Sequence, residues 1–437
     1  MSFELQRLMQ LVESAQNHGA KATAIFVDEY TGLDAEVSRG RIVKQEVEGA
    51  RMLVRVFLDG GRQGQAEGHP KQAAAHIEKA LRTADAATGD PLLGPVGRLP
   101  MVTRGLGIDD RRYPSLSVAD RVDVIVSAER GARGVDRNVQ TRGFRYSDRR
   151  IRRMFVSSSD VVAEEWSTDF HAEGKVTVAD VTINEKIASR SFASISSLPF
   201  GAVLAKRVLA LQGPAIQLDG PTRVMMPPRV TGALFARLAK ALQVDMITSG
   251  KSMFAAAHAA KVPAFDTRIH LIDDAGAPGG ARTYSFDQQG VPPIAMALLL
   301  EGVPKGQYVD LRTARELDRR PSGHWWGGKI RASNLMLRSG TRSMSALLSE
   351  HSQTPTLMLD HAVGLEKLNL ATGDFVCTGS GFLRLGNDRT EGVVRNVRLS
   401  GNILEVLRQL VDVASDTDRV GHVDAPGLLL DGIVVRG

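Results

Sequence analysis

A single cysteine, Cys377, stands in the 437 residues, so no disulfide can close within the chain. That scarcity points to a reducing compartment, and a cytoplasmic location is the expectation. Long hydrophobic runs are also missing. The longest strongly apolar stretch, about Ile294–Leu300, falls far short of the roughly 20 residues that span a bilayer. The start, Met1-Ser2-Phe3-Glu4, carries an early acid and no signal-like run, and no membrane role is expected. The formal charge of +6 is a mild excess for this length, and no aromatic-rich basic stripe accompanies it. Nucleic acid is therefore not an expected partner, whereas an acidic peptide or protein is compatible. Internal repeats and low-complexity tracts are absent as well.

An apolar content of 43% is ample for sizeable cores, and a chain of this length is expected to hold two or three domains. Leu5, Leu8, Met9 and Val12 share one face of an opening helix, which Ser2 can cap and Gly19 can end. Strand-like segments follow at Ala22–Val27, Leu33–Ser38, Arg41–Glu48 and Met52–Phe57, with Asp59-Gly60-Gly61 as a hairpin turn. Pro70–Ala87 reads as a second helix. The breaker-rich stretch 89–100 reads as a linker. Next come a helix from Val118 to about Arg130, opened by a Ser117/Asp120 capping box, and a β-rich run over 138–194. Turns in that run are expected at Ser147-Asp148 and Glu173-Gly174, and a helix near Ala202–Leu211 closes the unit. Leu211–Pro228, with four prolines and two glycines, reads as a boundary. The remainder mixes short strands with helices at Arg229–Gln243, Leu311–Leu317, Ser343–Glu350 and Asn402–Val413. The fold class expected is α+β in three parts: an N-terminal α+β domain (1–100), a β-rich domain with flanking helices (101–217), and a β-rich C-terminal domain (218–437).

Chemistry-bearing motifs are sparse. The ten histidines form no H-E-x-x-H, and one cysteine cannot build a cysteine-based zinc cluster. Ser249-Gly250-Lys251-Ser252 resembles the end of a phosphate loop, but Asp245 stands where the pattern needs glycine and would repel phosphate. Thr378-Gly379-Ser380-Gly381 lies in a strand-like setting, not at a nucleophile elbow. Cys377 reads as a buried structural thiol. Glu164 and Glu165 point to opposite faces of a strand, so they cannot form a dyad. Asp273-Asp274 precedes a glycine-rich stretch, where a turn role is the default. The loop Pro321-Ser-Gly-His324-Trp325-Trp326-Gly-Gly-Lys329 holds two of the three tryptophans. Adjacent tryptophans between glycines suit either contact with a partner or peptide, or a ring that plugs a gap in the core.

The order of segments in the second half carries a resemblance. Asp273-Asp274 is followed by Ser285-Phe286-Asp287-Gln288-Gln289-Gly290-Val-Pro, then Glu301-Gly302, a strand ending at Tyr308, and Thr313-Ala314-Arg315. Pro321-Ser-Gly, Arg331-Ala-Ser-Asn334 through Gly340, and Ser400-Gly401-Asn402 complete the series. In the first half, Val54-Arg55-Val56-Phe57 precedes Gly60-Gly61-Arg62-Gln63-Gly64. This order resembles the TldD/TldE (PmbA) family over nearly the whole chain. The resemblance implies a fold shared by two kinds of subunit. TldD-type chains bind zinc through a helix bearing H-E-x-x-x-H and a cysteine near the C-terminus. TldE-type chains lack those ligands and pair with a TldD-type chain in a peptidase acting on unfolded peptides or on leader peptides of ribosomally made natural products. Here the matching helix, Arg229–Gln243, contains no His, Asp, Glu or Cys, and Gly421–Gly437 holds His422 but no cysteine.

The expectation is thus a TldE-like subunit with no catalytic residue and no metal ligand of its own. Zinc is expected in a TldD-like partner, and His324, Trp325, Trp326, Arg331 and Asn334 are the candidate contacts to peptide or partner. Gln288-Gln289 replaces the acidic pair usual after Phe286-Asp287, which favours a specialised peptide substrate. The alternative is a homodimeric, non-enzymatic peptide-binding or scaffold protein of the same fold. An unrelated enzyme using Asp273, Asp274 or Cys377 has little in the sequence to support it.

Overall fold

The computed structural model describes residues 4–100, 105–385 and 389–437. The first half is one antiparallel sheet in the order β3-β2-β1-β4-β5-β6, made of β1 (Ala22–Ser38), β2 (Arg41–Phe57), β3 (Gln63–Gly68), β4 (Gln140–Ser157), β5 (Val162–Val178) and β6 (Val181–Ser189). Helices α1 (Leu5–Asn17) and α2 (Ala73–Asp85) cover one end of one face, burying Ile25, Val27, Val54 and Met154. Helices α3 (Val118–Arg133), α4 (Phe192–Ser196) and α5 (Phe200–Ala210) belong to the core at the other end, around Leu33, Phe144 and Phe170. The division near residue 100 therefore marks a change of helical layer, while the sheet runs on through β1 paired with β4.

The second half contains β7 (Asp219–Met226), α6 (Pro228–Leu238), α7 (Val244–Thr248), α8 (Ala255–Ala260), β8 (Leu271–Asp273), β9 (Met296–Leu300), β10 (Val303–Pro304), α9 (Leu311–Glu316), β11 (Trp325–Trp326), β12 (Lys329–Ile330) and β13 (Leu335–Leu337). It continues through α10 (Met344–Glu350), β14 (Thr356–Val363), β15 (Asp374–Leu385), β16 (Arg389–Asn402), α11 (Ile403–Arg408), β17 (Leu410–Val420) and β18 (Val423–Arg436). Strands β7, β14, β15, β16 and β18 pair in a ring, because β18 bonds both β16 and β7. The α+β class read from the sequence is the class observed.

Several boundaries differ from the sequence expectation, and glycine explains two of them. β1 and β2 run unbroken through Gly32 and Gly49, where breaks were expected. A Cβ at Gly32 would collide with the Asp148 carbonyl of β4, and one at Gly49 would sit 2.5 Å from the Tyr30 ring. Both glycines mark close cross-strand approach, not turns. Ser147-Asp148 and Glu173-Gly174 likewise lie inside β4 and β5. Asp148 is fully buried there, accepting from Leu33 N–H at 3.1 Å and the Tyr113 and Tyr146 hydroxyls at 2.6 and 2.7 Å. Positive φ falls instead at Asp160 and Ala179, in the connections that flank β5. Ser2 lies outside the described residues; Glu4 holds the N-cap position of α1 and makes no side-chain cap bond. The helix expected over Asn402–Val413 stops at Arg408, because Leu410 and Val413 join β17 and pair with β18. The Ser117/Asp120 capping box forms as expected.

The breaker-rich stretch after α2 is a docked strap. Arg315 of α9 donates to the carbonyls of Leu92, Gly94 and Pro95, and Asp90 pairs with Arg312 at 2.7 Å. Val96 is buried with Phe26, Phe155 and Phe286, where the open face of the first sheet meets the second half of the chain.

Candidate functional site

Helix α6 occupies the place of the zinc-binding helix in the resemblance, and packing covers most of it, leaving Ala233 exposed. Val230, Leu234, Phe235 and Leu238 are buried in the largest core with β17 and β18 residues. Gly232 faces Val420, where a Cβ would lie 3.3 Å from the valine Cβ. Its first turn is fixed by a charge cluster: Arg229 reaches Asp360 of β14 at 3.0 Å, beside Arg207 of α5 at 3.0 Å and His361 at 3.2 Å. Burial alone would raise the Asp360 pKa, but hydrogen bonds from His361 and Arg207 and the two guanidinium charges hold it well below the usual carboxylate range.

Past the helix stands half-buried His422, whose imidazole is held down at about 4 by burial and then by the Arg282 charge. Lys240 is also near it, and Lys240 is itself lowered by burial and by Arg237, Lys329 and Arg282. Asp273 is the one acid acting on His422 in this group. A divalent cation would thus meet several fixed positive charges here. Among the described residues, no three His, Cys, Asp or Glu side chains converge to hold an ion, whereas catalytic zinc takes about three protein ligands. The residues present do not fit zinc.

Asp273 is committed elsewhere. It is fully buried at the end of β8, accepts the Tyr308 hydroxyl at 2.5 Å and Ser333 N–H at 2.9 Å, and also takes the Ser333 hydroxyl. His324 Nε2 lies 3.6 Å away, while His324 Nδ1 donates to the Ser322 carbonyl at 2.7 Å. Burial pushes the Asp273 pKa up, but His324 and these hydroxyls more than offset it, so the carboxylate stays ionised. Asp274 makes the expected Asx-type turn, accepting Gly276 N–H at 2.7 Å. Cys377 is buried in β15, and burial pushes its thiol up to about 11, which suits a structural role.

The candidate contact residues divide. His324 and Asn334 are buried and bonded within the chain; Asn334 accepts Arg282 N–H and donates to the Asp274 carbonyl and Thr283 hydroxyl, each at 2.9 Å. Arg331 is exposed. Trp325 and Trp326 are half-buried in the short hairpin β11–β12. Trp326 contacts Phe26 and Tyr284 edge-on at 6.0 and 4.9 Å, so this ring joins the two halves of the chain.

Sequence reasoning missed the buried acids that hold this junction. Asp287 accepts backbone N–H groups from Gln289, Val291 and Trp325 at 2.8–3.0 Å, yet burial pushes it up to about 6. Buried Arg55 of β2 supplies the nearby positive charge and donates to the Gln288 carbonyl. Glu165 takes Arg153 at 2.9 Å and the Ser285 hydroxyl at 2.7 Å. The alternation in β5 shows that Glu165 and Glu164 face opposite ways; what Glu165 meets is set by tertiary contact.

Residues 219–437 match the family model for the PmbA/TldA metallopeptidase C-terminal domain. The metalloprotease PmbA of Escherichia coli O157:H7 is 20% identical, covering 97% of this chain and 93% of that protein. A metalloprotease of Methanothermobacter thermautotrophicus is 26% identical over 204 residues, 45% of this chain and 44% of that protein. Among solved structures, a Thermotoga maritima protein described as a candidate modulator of DNA gyrase superposes with a TM-score of 0.88 at 20% identity, covering 98% of this chain and 99% of that one. TldE from Thermococcus kodakarensis superposes at 0.83 with 17% identity, covering 98% of this chain and all 100% of the other. With its C-terminal half matched by the family model and its whole length following the shared fold, this chain belongs to the TldD/TldE (PmbA) family of metallopeptidase-type proteins.

Proposed function

We propose that this chain is a TldE-like subunit without catalytic residues, which pairs with a TldD-like, zinc-bearing chain and completes the channel through which that enzyme takes peptides. The observation that carries this reading is α6. Where the family's enzyme needs zinc ligands, this helix has Arg229, Gly232 and a mostly buried set of apolar residues. The basic group of Lys240, Arg282 and Lys329 beyond it favours an acidic peptide and disfavours a cation. The Gln288 and Gln289 side chains accept Gly327 N–H and Leu311 N–H within the chain, so a dedicated substrate, such as the leader of a ribosomally made natural product, rests on the basic group alone. A buried, unpaired Cys377 accords with a reducing, cytoplasmic setting.

The test is co-expression with a homologue that bears H-E-x-x-x-H. Co-purification as a heterodimer, with chelator-sensitive peptidase activity in the pair and none in this chain alone, is the expected result. Chelator-sensitive cleavage by this chain alone would refute the reading. If no such homologue binds, the non-enzymatic homodimeric scaffold replaces it.

A further inference from the structure

Exposed cations gather around one imidazole beyond the end of α6. Lys240 stands in the turn that follows the helix (Ala239–Leu242), and Arg282 in the loop between β8 and β9. Lys329 lies in β12 with Arg331 just beyond it, and His422 lies in the turn from β17 to β18. Lys240, Arg282, Lys329 and Arg331 are exposed and make no ion pair among the described residues. Elsewhere the chain neutralises its buried guanidinium groups: Arg190 takes Asp169 at 2.6 Å, and Arg207 and Arg229 share Asp360.

Hydrogen bonds tie these segments together. Arg282 N–H donates to the Asn334 side chain and the Arg282 guanidinium to the Ala332 carbonyl, both at 2.9 Å. Leu335 N–H donates to the His422 carbonyl at 2.8 Å, and Gln243 Nε2 reaches the Ile330 carbonyl at 3.4 Å. The cations therefore stay in one another's field: Lys240 feels Lys329 and Arg282, and Arg282 feels Arg331. Asp273, the acid in reach, is fully buried and already accepts from Tyr308 and Ser333. The His422 ring makes no hydrogen bond among the described residues. Burial first, and then Arg282, hold that ring at about 4. The potential that keeps a proton off His422 draws an anion to the same place.

We propose that this group holds a carboxylate of the bound peptide, from an acidic side chain or from the free C-terminus. Arg282, Lys240 and Lys329 supply the charge, and the neutral His422 ring supplies one N–H donor. Charge-assisted hydrogen bonds of this kind hold carboxylates in acidic-motif and chain-end recognition. The assignment deepens the peptide-channel reading and rests on it for the identity of the anion.

The test is fluorescence anisotropy of labelled short peptides with the full chain alone, at neutral pH and low salt. The probes are a glutamate-rich peptide with an amidated C-terminus, its glutamine counterpart with the same amide, and the glutamine counterpart with a free C-terminus. The glutamine amide should bind at least about tenfold more weakly than one of the two acids, and the acid that binds identifies the source of the carboxylate. Lys240→Gln and Lys329→Gln remove exposed side chains with no partner in the fold, and each should weaken the acidic probe about fivefold. Lys79→Gln, on the exposed side of α2, makes the same change in net charge and should leave binding as it is. Equal binding of all three probes overturns the proposal. So does a loss with Lys79→Gln as large as with Lys329→Gln, which marks net charge alone. Tighter binding of a thymidine oligonucleotide than of either acid also overturns it. The zinc-bearing partner is absent from this measurement, so the two readings fail separately. Acid-selective binding with no such partner found keeps this site and sinks the heterodimer; an active heterodimer without acid selectivity in this chain does the reverse.

Discussion

The guanidinium of Arg153 lies over the ring of Trp326, 5.3 Å from its centroid. Arg153 belongs to the N-terminal sheet and Trp326 to a C-terminal hairpin. Asp28 at 3.2 Å and Glu165 at 2.9 Å hold the arginine from the sheet side. Trp326→Ala removes this stacking and two edge-on ring contacts. The expected loss is about 3 kcal/mol of stability in urea unfolding. Trp325→Ala should cost clearly less, since no ring stacks on that side chain among the described residues. Equal losses would contradict the joining role of Trp326.

Asp287 and His422 should pull stability in opposite directions on acidification. The Asp287 carboxyl is raised from 3.8 to about 6, so the folded state holds its proton longer than the unfolded chain. Its contribution falls as pH rises across that window. The His422 imidazole is lowered from 6.5 to about 4, so the unfolded chain takes up the proton first. Its contribution is complete above 6.5 and is lost as pH falls toward 4. Asp287→Asn should therefore make stability drop more steeply than in wild type between roughly pH 6 and 4, by up to about 1.4 kcal/mol per pH unit. His422→Asn should shift the slope the other way. Denaturant unfolding at four pH values checks both signs.

Asp360 joins Arg229 of α6 to Arg207 of α5. Asp360→Ala leaves two arginines without this partner, and about 3 kcal/mol of destabilisation is expected. The pairing contributes fully above the usual carboxylate range and weakens as acid protonates the group. Chemical denaturation at neutral pH and again near the lower limit of solubility should show the difference between variant and wild type shrinking in acid.

The sequence made the periodic elements legible. Leu8 and Val12 of α1, the Ser117/Asp120 box and the apolar residues of α6 each express a local pattern that survives in the fold, whereas Met9, expected on the same stripe, is exposed and Leu11 and Ala15 are buried instead. Glycine misled where it serves packing. Gly32, Gly49 and Gly174 look like punctuation in one dimension, yet they admit a carbonyl, a tyrosine and a phenylalanine from neighbouring strands. The buried acids were illegible for a similar reason. Nothing near Asp287 in sequence announces Arg55, which lies 232 positions earlier, nor does Asp273 announce Tyr308. The emptiness of α6 was legible because a missing ligand can be read from the residues alone. The positive surroundings of His422 required the fold.

The amount of zinc held by this chain purified without any partner tests the silent-subunit reading most directly. Elemental mass spectrometry on the full-length protein should find far less than one zinc per chain, before and after incubation with excess zinc and desalting. About one tightly retained zinc per chain, lost on His422→Ala, would contradict the proposal and make this subunit a metal-binding member in its own right.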